Sequence, residues 1–200
     1  MKIIGLCGGS GSGKGAVSSL FGAYGIPSID TDAVYRDITS RPSECLLALA
    51  SEFGSRVIRD DRLDRAVLRE IVFNSPDKSE NLARLNAITH KYIISETEKI
   101  ISAYEKDSVS GVIIDAPLLF ESGLDKRCDT VLAVLANREV RVARIMLRDG
   151  ITLDAARARI DSQISDSELA DRANIIIRND GTLDELKSAV RSAYEQIFEN

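Results

Sequence analysis

The run Gly8-Gly9-Ser10-Gly11-Ser12-Gly13-Lys14-Gly15 places five glycines and one lysine within eight residues. Glycine has no Cβ, so such a run can curl with its backbone N–H groups turned inward, and a phosphate can approach them closely. Lys14 follows Gly13 at the spacing that brings an ammonium to the outer phosphates. A short apolar run (Ile3, Ile4, Leu6) precedes the turn and a helical pattern (Val17, Leu20, Phe21) follows it. Strand, glycine-rich turn and helix N-terminus together are the context in which G-x-x-x-x-G-K holds a nucleoside triphosphate. The hydroxyl that usually follows the lysine and binds magnesium is missing: Gly15 stands there, with Ala16 behind it. A flexible glycine loop without a ligand is the bland alternative.

Phosphoryl transfer asks a protein for alignment, charge neutralisation and a base for the attacking hydroxyl. Asp30 and Asp32 follow a short strand pattern, and either can take a proton or hold hydrated magnesium; Asp32 can equally cap a helix. Arg36, one turn on, can pair with Asp32 or with substrate. Asp115 ends an apolar strand pattern, where a carboxylate contacts magnesium directly or through water; it can also be a turn residue before Pro117. Arg141, Arg144 and Arg148 share one helix face, which is either solvated or part of a lid over polyphosphate. His90, the single histidine, makes no triad or metal site alone, and a helix-end or core role stands beside a substrate contact. No Asn-Lys-x-Asp signature for guanine is present.

These groups need a scaffold, and 200 residues suit one domain with an inserted subdomain. Apolar patterns predict strands at Lys2 to Cys7, Ser28 to Asp30, Gly111 to Ala116, Thr130 to Leu135 and Asn174 to Ile177, with helices between them. Strands alternating with helices imply a parallel sheet covered on both faces, with ligands at the carboxyl ends of its strands. Residues 43–107 are mostly helical, too much for one simple crossover, and read as an inserted substrate-binding region. Core segments of about 1–42 and 108–200 remain, with an arginine-rich helical lid at about 138–170.

Composition narrows the setting. A net charge of −5 without a long basic tract argues against a general nucleic-acid binder. Cys7, Cys45 and Cys128 lack metal-finger spacing and suit a reduced, cytosolic protein. No apolar run approaches a membrane span, and the start lacks a signal peptide's layout. The expectation is a cytoplasmic monomer or weak homo-oligomer.

Several segments in order resemble the dephospho-CoA kinase family. They are Gly5-Leu6-Cys7-Gly8-Gly9-Ser10-Gly11-Ser12-Gly13-Lys14, Ile29-Asp30-Thr31-Asp32 with Arg36, and Leu85-Asn86-Ala87-Ile88-Thr89-His90. Asp115-Ala116-Pro117-Leu118-Leu119-Phe120-Glu121 follows, then Arg144, Arg148-Asp149, Gln163, Ala170-Asp171 and Asn179-Asp180-Gly181. The resemblance covers nearly the whole chain. It implies an α/β P-loop kinase that moves the γ-phosphoryl group of ATP, with Mg2+, to the ribose 3′-hydroxyl of dephospho-CoA. Gly11, Ser12, Gly13, Lys14, Gly15 and Ala16 would hold the phosphates with Arg144, and Asn179 would lie by the adenine. Asp32 would be the base, while Lys14 and Arg148 neutralise developing charge. Arg36, His90, Pro117, Leu118 and Leu119 would meet dephospho-CoA, and Asp32 and Asp115 would serve magnesium, through water. Gly15 and Ala16 depart from the family's Ser-Thr, Lys91 from its proline, and Arg141 from its usual Gln. Another small-molecule kinase, or a nucleotide sensor without catalysis, are the competing readings.

Overall fold

The computed structural model describes residues 1–199. In chain order, β1 (Lys2–Cys7) leads through the glycine loop to α1 (Lys14–Ala23), then β2 (Ser28–Asp30), α2 (Thr31–Ile38) and α3 (Glu44–Phe53). A hairpin, β3 (Ile58–Arg59) and β4 (Arg62–Leu63), precedes α4 (Arg65–Phe73) and α5 (Lys78–Lys106). The chain continues with β5 (Gly111–Asp115), β6 (Thr130–Leu135), α6 (Arg138–Asp149), α7 (Leu153–Asp161), α8 (Asp166–Arg172), β7 (Ile175–Arg178) and α9 (Leu183–Phe198). It divides into two compact units, Met1–Ser28 with Glu105 onward, and Ile29–Tyr104.

The first unit is built on β5, β1, β6 and β7, neighbours in that order in one sheet. The pairings of β1 with β5 and β6, and of β6 with β7, are parallel. Ile3 to Cys7, Gly111 to Ile114 and Val131 to Leu135 are buried without interruption, as strands covered on both faces must be. On one face Ile4, Leu6, Ile113, Leu132, Val134 and Ile177 pack with Val17 and Phe21 of α1 and with Leu186, Val190, Ala193 and Ile197 of α9. A fully buried phenylalanine such as Phe21 (0 % exposed) contributes about 3 kcal/mol or more against Ala. That packing fixes α1, and hence the loop in front of it.

The second unit has its own core: Cys45, Leu46 and Leu49 of α3, Val57, Leu63, and Leu68 and Val72 of α4. It also takes in α2, because Ile38 and Tyr35 join that cluster; the compact unit therefore starts ahead of residue 43. A single helix of 29 residues, α5, runs from Lys78 to Lys106. The β3–β4 hairpin was not expected from sequence. Its two-residue turn holds Asp60 and Asp61 at φ 51° and 59°, the left-handed pair that matches strand twist and that Asp tolerates. Among the described residues, no helix is long and apolar enough to cross a membrane.

Burial pushes the Cys7 and Cys45 thiols up to about 11 and the Cys128 thiol to about 12. Almost no thiolate then exists at pH 8, so the folded protein should react with a disulfide reagent far more slowly than free cysteine. All three thiols should titrate once denaturant is added; a rapid phase in the folded protein at pH 8 would contradict this packing.

Candidate active site

β1 is the middle strand, and its carboxyl end opens directly into the glycine loop. In the β1–β5 register Leu6 stands opposite Asp115, so the last residue of β5 emerges beside the start of the loop. α6 follows β6, and Asn179 follows β7, its N–H donating to the Leu135 carbonyl at 2.8 Å. Parallel strands thus deliver Asp115, the loop, the α6 arginines and Asn179 to one edge.

The loop conformation requires glycine at two points in particular. Gly11 and Gly13 have φ of 78° and 98°. A Cβ on Gly11 would sit 2.6 Å from the Arg141 carbonyl oxygen, and one on Gly13 would run into the Asn179 amide. Gly15 differs: a Cβ there meets nothing within 4 Å.

Backbone bookkeeping shows what the loop is arranged to hold. Ser12 N–H donates to the Gly9 carbonyl at 3.1 Å, and Ala16 and Val17 N–H turn back to Gly13 at 3.0 and 3.2 Å. The N–H groups of Gly11, Gly13, Lys14 and Gly15 have no acceptor among the described residues. α1 begins without a side-chain cap and without an acidic residue in its first turn. By contrast α3, α4, α8 and α9 are capped by Ser43, Asp64, Ser165 and Thr182. A helix start carrying several orphan donors can receive an anion. The Ser12 hydroxyl is buried and has no hydrogen-bond partner among the described residues.

Lys14 Nζ lies 2.5 Å from Asp115 Oδ1, each side chain 17 % exposed. The lysine thus has a carboxylate partner at the end of β5. The α6 arginines, which would repel one another unanswered, each have partners. Arg141 is buried against Asp166 and the Ser10 carbonyl. Arg144 reaches the Gly11 and Ser12 carbonyls at 3.3 and 3.4 Å. Arg148 is clamped by two bonds, 2.7 and 2.9 Å, to Asp149. Arg148 first, then Arg159, hold the Asp149 carboxyl down to about 2. Asn179, 7 % exposed, donates its amide to the Ser12 carbonyl at 2.8 Å.

In the helical unit, Asp30 rather than Asp32 caps α2, accepting from the N–H groups of Asp32 and Ala33 at 2.9 and 3.1 Å. Asp32 is exposed in the first turn, so the cap does not need its carboxylate. Arg36 pairs with Asp30 at 3.3 Å. His90 is half-buried on α5. This unit also contains a pocket of about 260 Å³ lined by residues including Ile38, Arg41, Cys45, Tyr92, Glu96 and Lys99.

The segment after β5 separates its three expected substrate contacts. Pro117 and Leu118 are exposed, but Leu119 is 0 % exposed and packs over Gly5. Leu119 is a core residue, and its expected place against substrate is corrected accordingly. Three residues that sequence reasoning gave no site role, Ser10, Gln163 and Asp166, are joined to Arg141 in one hydrogen-bonded group. No local pattern could have shown it, since Ser10 and Gln163 are 153 positions apart.

A family model described as dephospho-CoA kinase matches residues 2–185. The chain belongs to the dephospho-CoA kinase family. Among its relatives, the dephospho-CoA kinase of Corynebacterium glutamicum is 38% identical over 199 residues, 99% of this chain and 98% of that protein. The solved dephospho-CoA kinase from Campylobacter jejuni is 27% identical and superposes with a TM-score of 0.72, covering 100% of this chain and 98% of its own. A solved Thermus thermophilus protein, 31% identical, gives a TM-score of 0.80 over 98% of this chain and 97% of its own. The fold is accordingly an α/β P-loop kinase fold, with the family's glycine loop at the end of its middle strand.

Two substitutions separate a required glycine from a tolerated one. Gly13→Ala should abolish detectable ATP binding, because it needs both a left-handed φ and the space that Asn179 fills. Gly15→Ala, in open space within the first turn of α1, should keep the fold and gain about 0.5–1 kcal/mol from helix propensity. Calorimetric unfolding and ATP titration of both variants check this; equal losses in the two would refute it.

Proposed function

We propose that this chain transfers the γ-phosphoryl group of ATP to the ribose 3′-hydroxyl of dephospho-CoA, giving CoA and ADP, the last step of coenzyme A formation. The observation that carries the reading is the strip of orphan N–H groups at the uncapped start of α1, beside Lys14, in a chain of this family. Gly11, Gly13, Lys14 and Gly15 present their N–H groups to the ATP phosphates, and Lys14 exchanges part of its bond to Asp115 for a phosphate oxygen. Ser12 and Ala16 belong to the same cradle through their place in the loop, and Asn179 borders the adenine side.

Asp32 is the base that takes the proton of the 3′-hydroxyl; the cap made by Asp30 supports this assignment. Arg148 leaves Asp149 to neutralise charge on the transferred group, as Arg144 does nearer the loop. The helical region binds dephospho-CoA, with Arg36, His90, Pro117 and Leu118 as its contacts. Residues 138–170 act as the lid. The protein works in the cytosol as a monomer or weak homo-oligomer, without nucleic acid.

Magnesium fits the residues present, although the loop offers no hydroxyl at position 15. This ion keeps several waters and needs only one or two carboxylates besides the phosphates. The open space beside Gly15 has room for such waters, and Asp115 and Asp32 supply the carboxylates. When bound, it spreads negative charge from the phosphates and so eases attack.

Incubation with ATP and dephospho-CoA should give CoA by mass, and Asp32→Asn should lower kcat by about 100- to 10,000-fold with ATP binding retained. ATP bound but no CoA at any magnesium level would refute the activity.

Because no loop hydroxyl binds the ion here, half-saturation should require more magnesium than in Gly15→Ser. A magnesium titration of both proteins decides this, and an unchanged dependence in Gly15→Ser would show the water-held arrangement to be wrong.

A further inference from the structure

We infer that Arg141 is a positioning residue for ATP. It sets the Ser10–Gly11 peptide plane so that the Gly11 N–H faces the phosphates, and it ties that setting to Gln163 and Asp166. The inference rests on the nucleotide site proposed above. Arg141 is also where this chain departs from the Gln usual in the pattern it resembles.

A trans peptide is planar, and its C=O and N–H point in opposite directions; the described residues contain no cis bond. The Ser10 carbonyl accepts from Arg141 Nε at 2.9 Å. The Gly11 N–H in the same plane is therefore directed away from Arg141. The Ser12–Gly13 peptide is oriented in the same manner from the other side, with its carbonyl taken by Asn179 at 2.8 Å.

Arg141 is itself held. Its side chain is 4 % exposed, and Nη1 donates to Asp166 Oδ1 at 2.7 Å. Nη2 donates to Gln163 Oε1 at 3.3 Å. Gln163 then grips the same loop residue twice: its Oε1 accepts from the Ser10 N–H at 2.9 Å, and its Nε2 donates to the Ser10 hydroxyl at 3.2 Å. The guanidinium occupies the space where any side chain at position 9 would project, so Gly9 is what lets it come so close. A solvated helix face, the bland reading of these arginines, does not describe a guanidinium this deeply enclosed. Only a planar fork of donors serves Ser10, Gln163 and Asp166 together.

The test separates positioning from mere structural support. Arg141→Lys keeps the charge but cannot serve all three acceptors. It should weaken ADP, whose phosphates meet the loop, about tenfold, the equivalent of one charge-assisted hydrogen bond. Adenosine should change by less than about twofold. The KM for ATP should rise in the same proportion as the ADP loss, with the KM for dephospho-CoA unchanged. Asp166→Asn, at a 39 % exposed side chain, should shift ADP affinity in the same direction by a smaller factor.

Equal losses for ADP and adenosine, or a lower kcat at unchanged KM for ATP, would overturn the inference. Should Arg141→Lys fail to fold, Asp166→Asn carries the same comparison: ADP-selective weakening supports the inference, and no selectivity overturns it. A wild-type protein that binds neither ADP nor ATP would instead overturn the nucleotide reading itself.

Discussion

An anion-binding loop faces a constraint that most of a protein avoids: several backbone N–H groups must stay unpaired until the ligand arrives. An orphan donor costs free energy wherever water is excluded, and an unsupported loop relaxes by turning its peptides over. This loop prevents that by bonding its carbonyls outward. Ser10 is held from α6, and Gly11 and Ser12 from Arg144 and Asn179. At Ser10 and Ser12 the carbonyl so fixed turns the following N–H, that of Gly11 and Gly13, the other way. Arg141 of α6, Asp166 of α8 and Asn179 at the end of β7 thus shape the loop from outside it. Burial of α1 against the sheet supplies the remaining anchor.

Charge is arranged on the same plan. Lys14 and Asp115 form a close pair with little exposure, and Arg148 grips Asp149 at the end of α6. A lone ammonium beside the orphan N–H groups would add to an unanswered positive field, which Asp115 offsets. On the proposed reading, polyphosphate would bring a larger negative charge into that field and compete with these carboxylates for Lys14 and Arg148. The exposed pair, Arg148 with Asp149, contributes little to stability and can part at small cost. The more enclosed pair has a partner ready when the nucleotide departs.

The sheet was legible in the sequence because its middle strands are continuous apolar runs; β1, β2 and β6 have the ends their patterns imply. The β3–β4 hairpin was not legible, since two-residue strands are too short for a period and Asp-Asp is a weak signal for a left-handed turn. In the site, the glycine loop, Lys14 and Asp115 could be read locally because strand ends position them. Local spacing failed where tertiary packing decides. Leu119 sits within an expected contact segment yet turns into the core under Gly5. Arg36 finds Asp30, because the residue that caps α2 presents its second carboxylate oxygen to the next turn. The arginine face of α6 was visible as a pattern, but its partners lie on the loop and beyond α7.

The departure at positions 15 and 16 gains a physical sense from these contacts. A serine or threonine after the loop lysine adds a metal ligand and favours the helix start more than glycine does. Gly15 gives up both, and no side chain replaces it, since the space beside it is open. The conformation of the preceding residues does not depend on that position. It is imposed from outside by Arg141, Arg144 and Asn179, whose bonds reach Ser10, Gly11 and Ser12 and stop before Lys14. Loss of a hydroxyl at position 15 can therefore alter how magnesium is held while the phosphate cradle keeps its shape. On the proposed reading, phosphate and metal are held by different parts of the chain: the first by the loop that Arg141, Arg144 and Asn179 shape, the second by waters and carboxylates outside it.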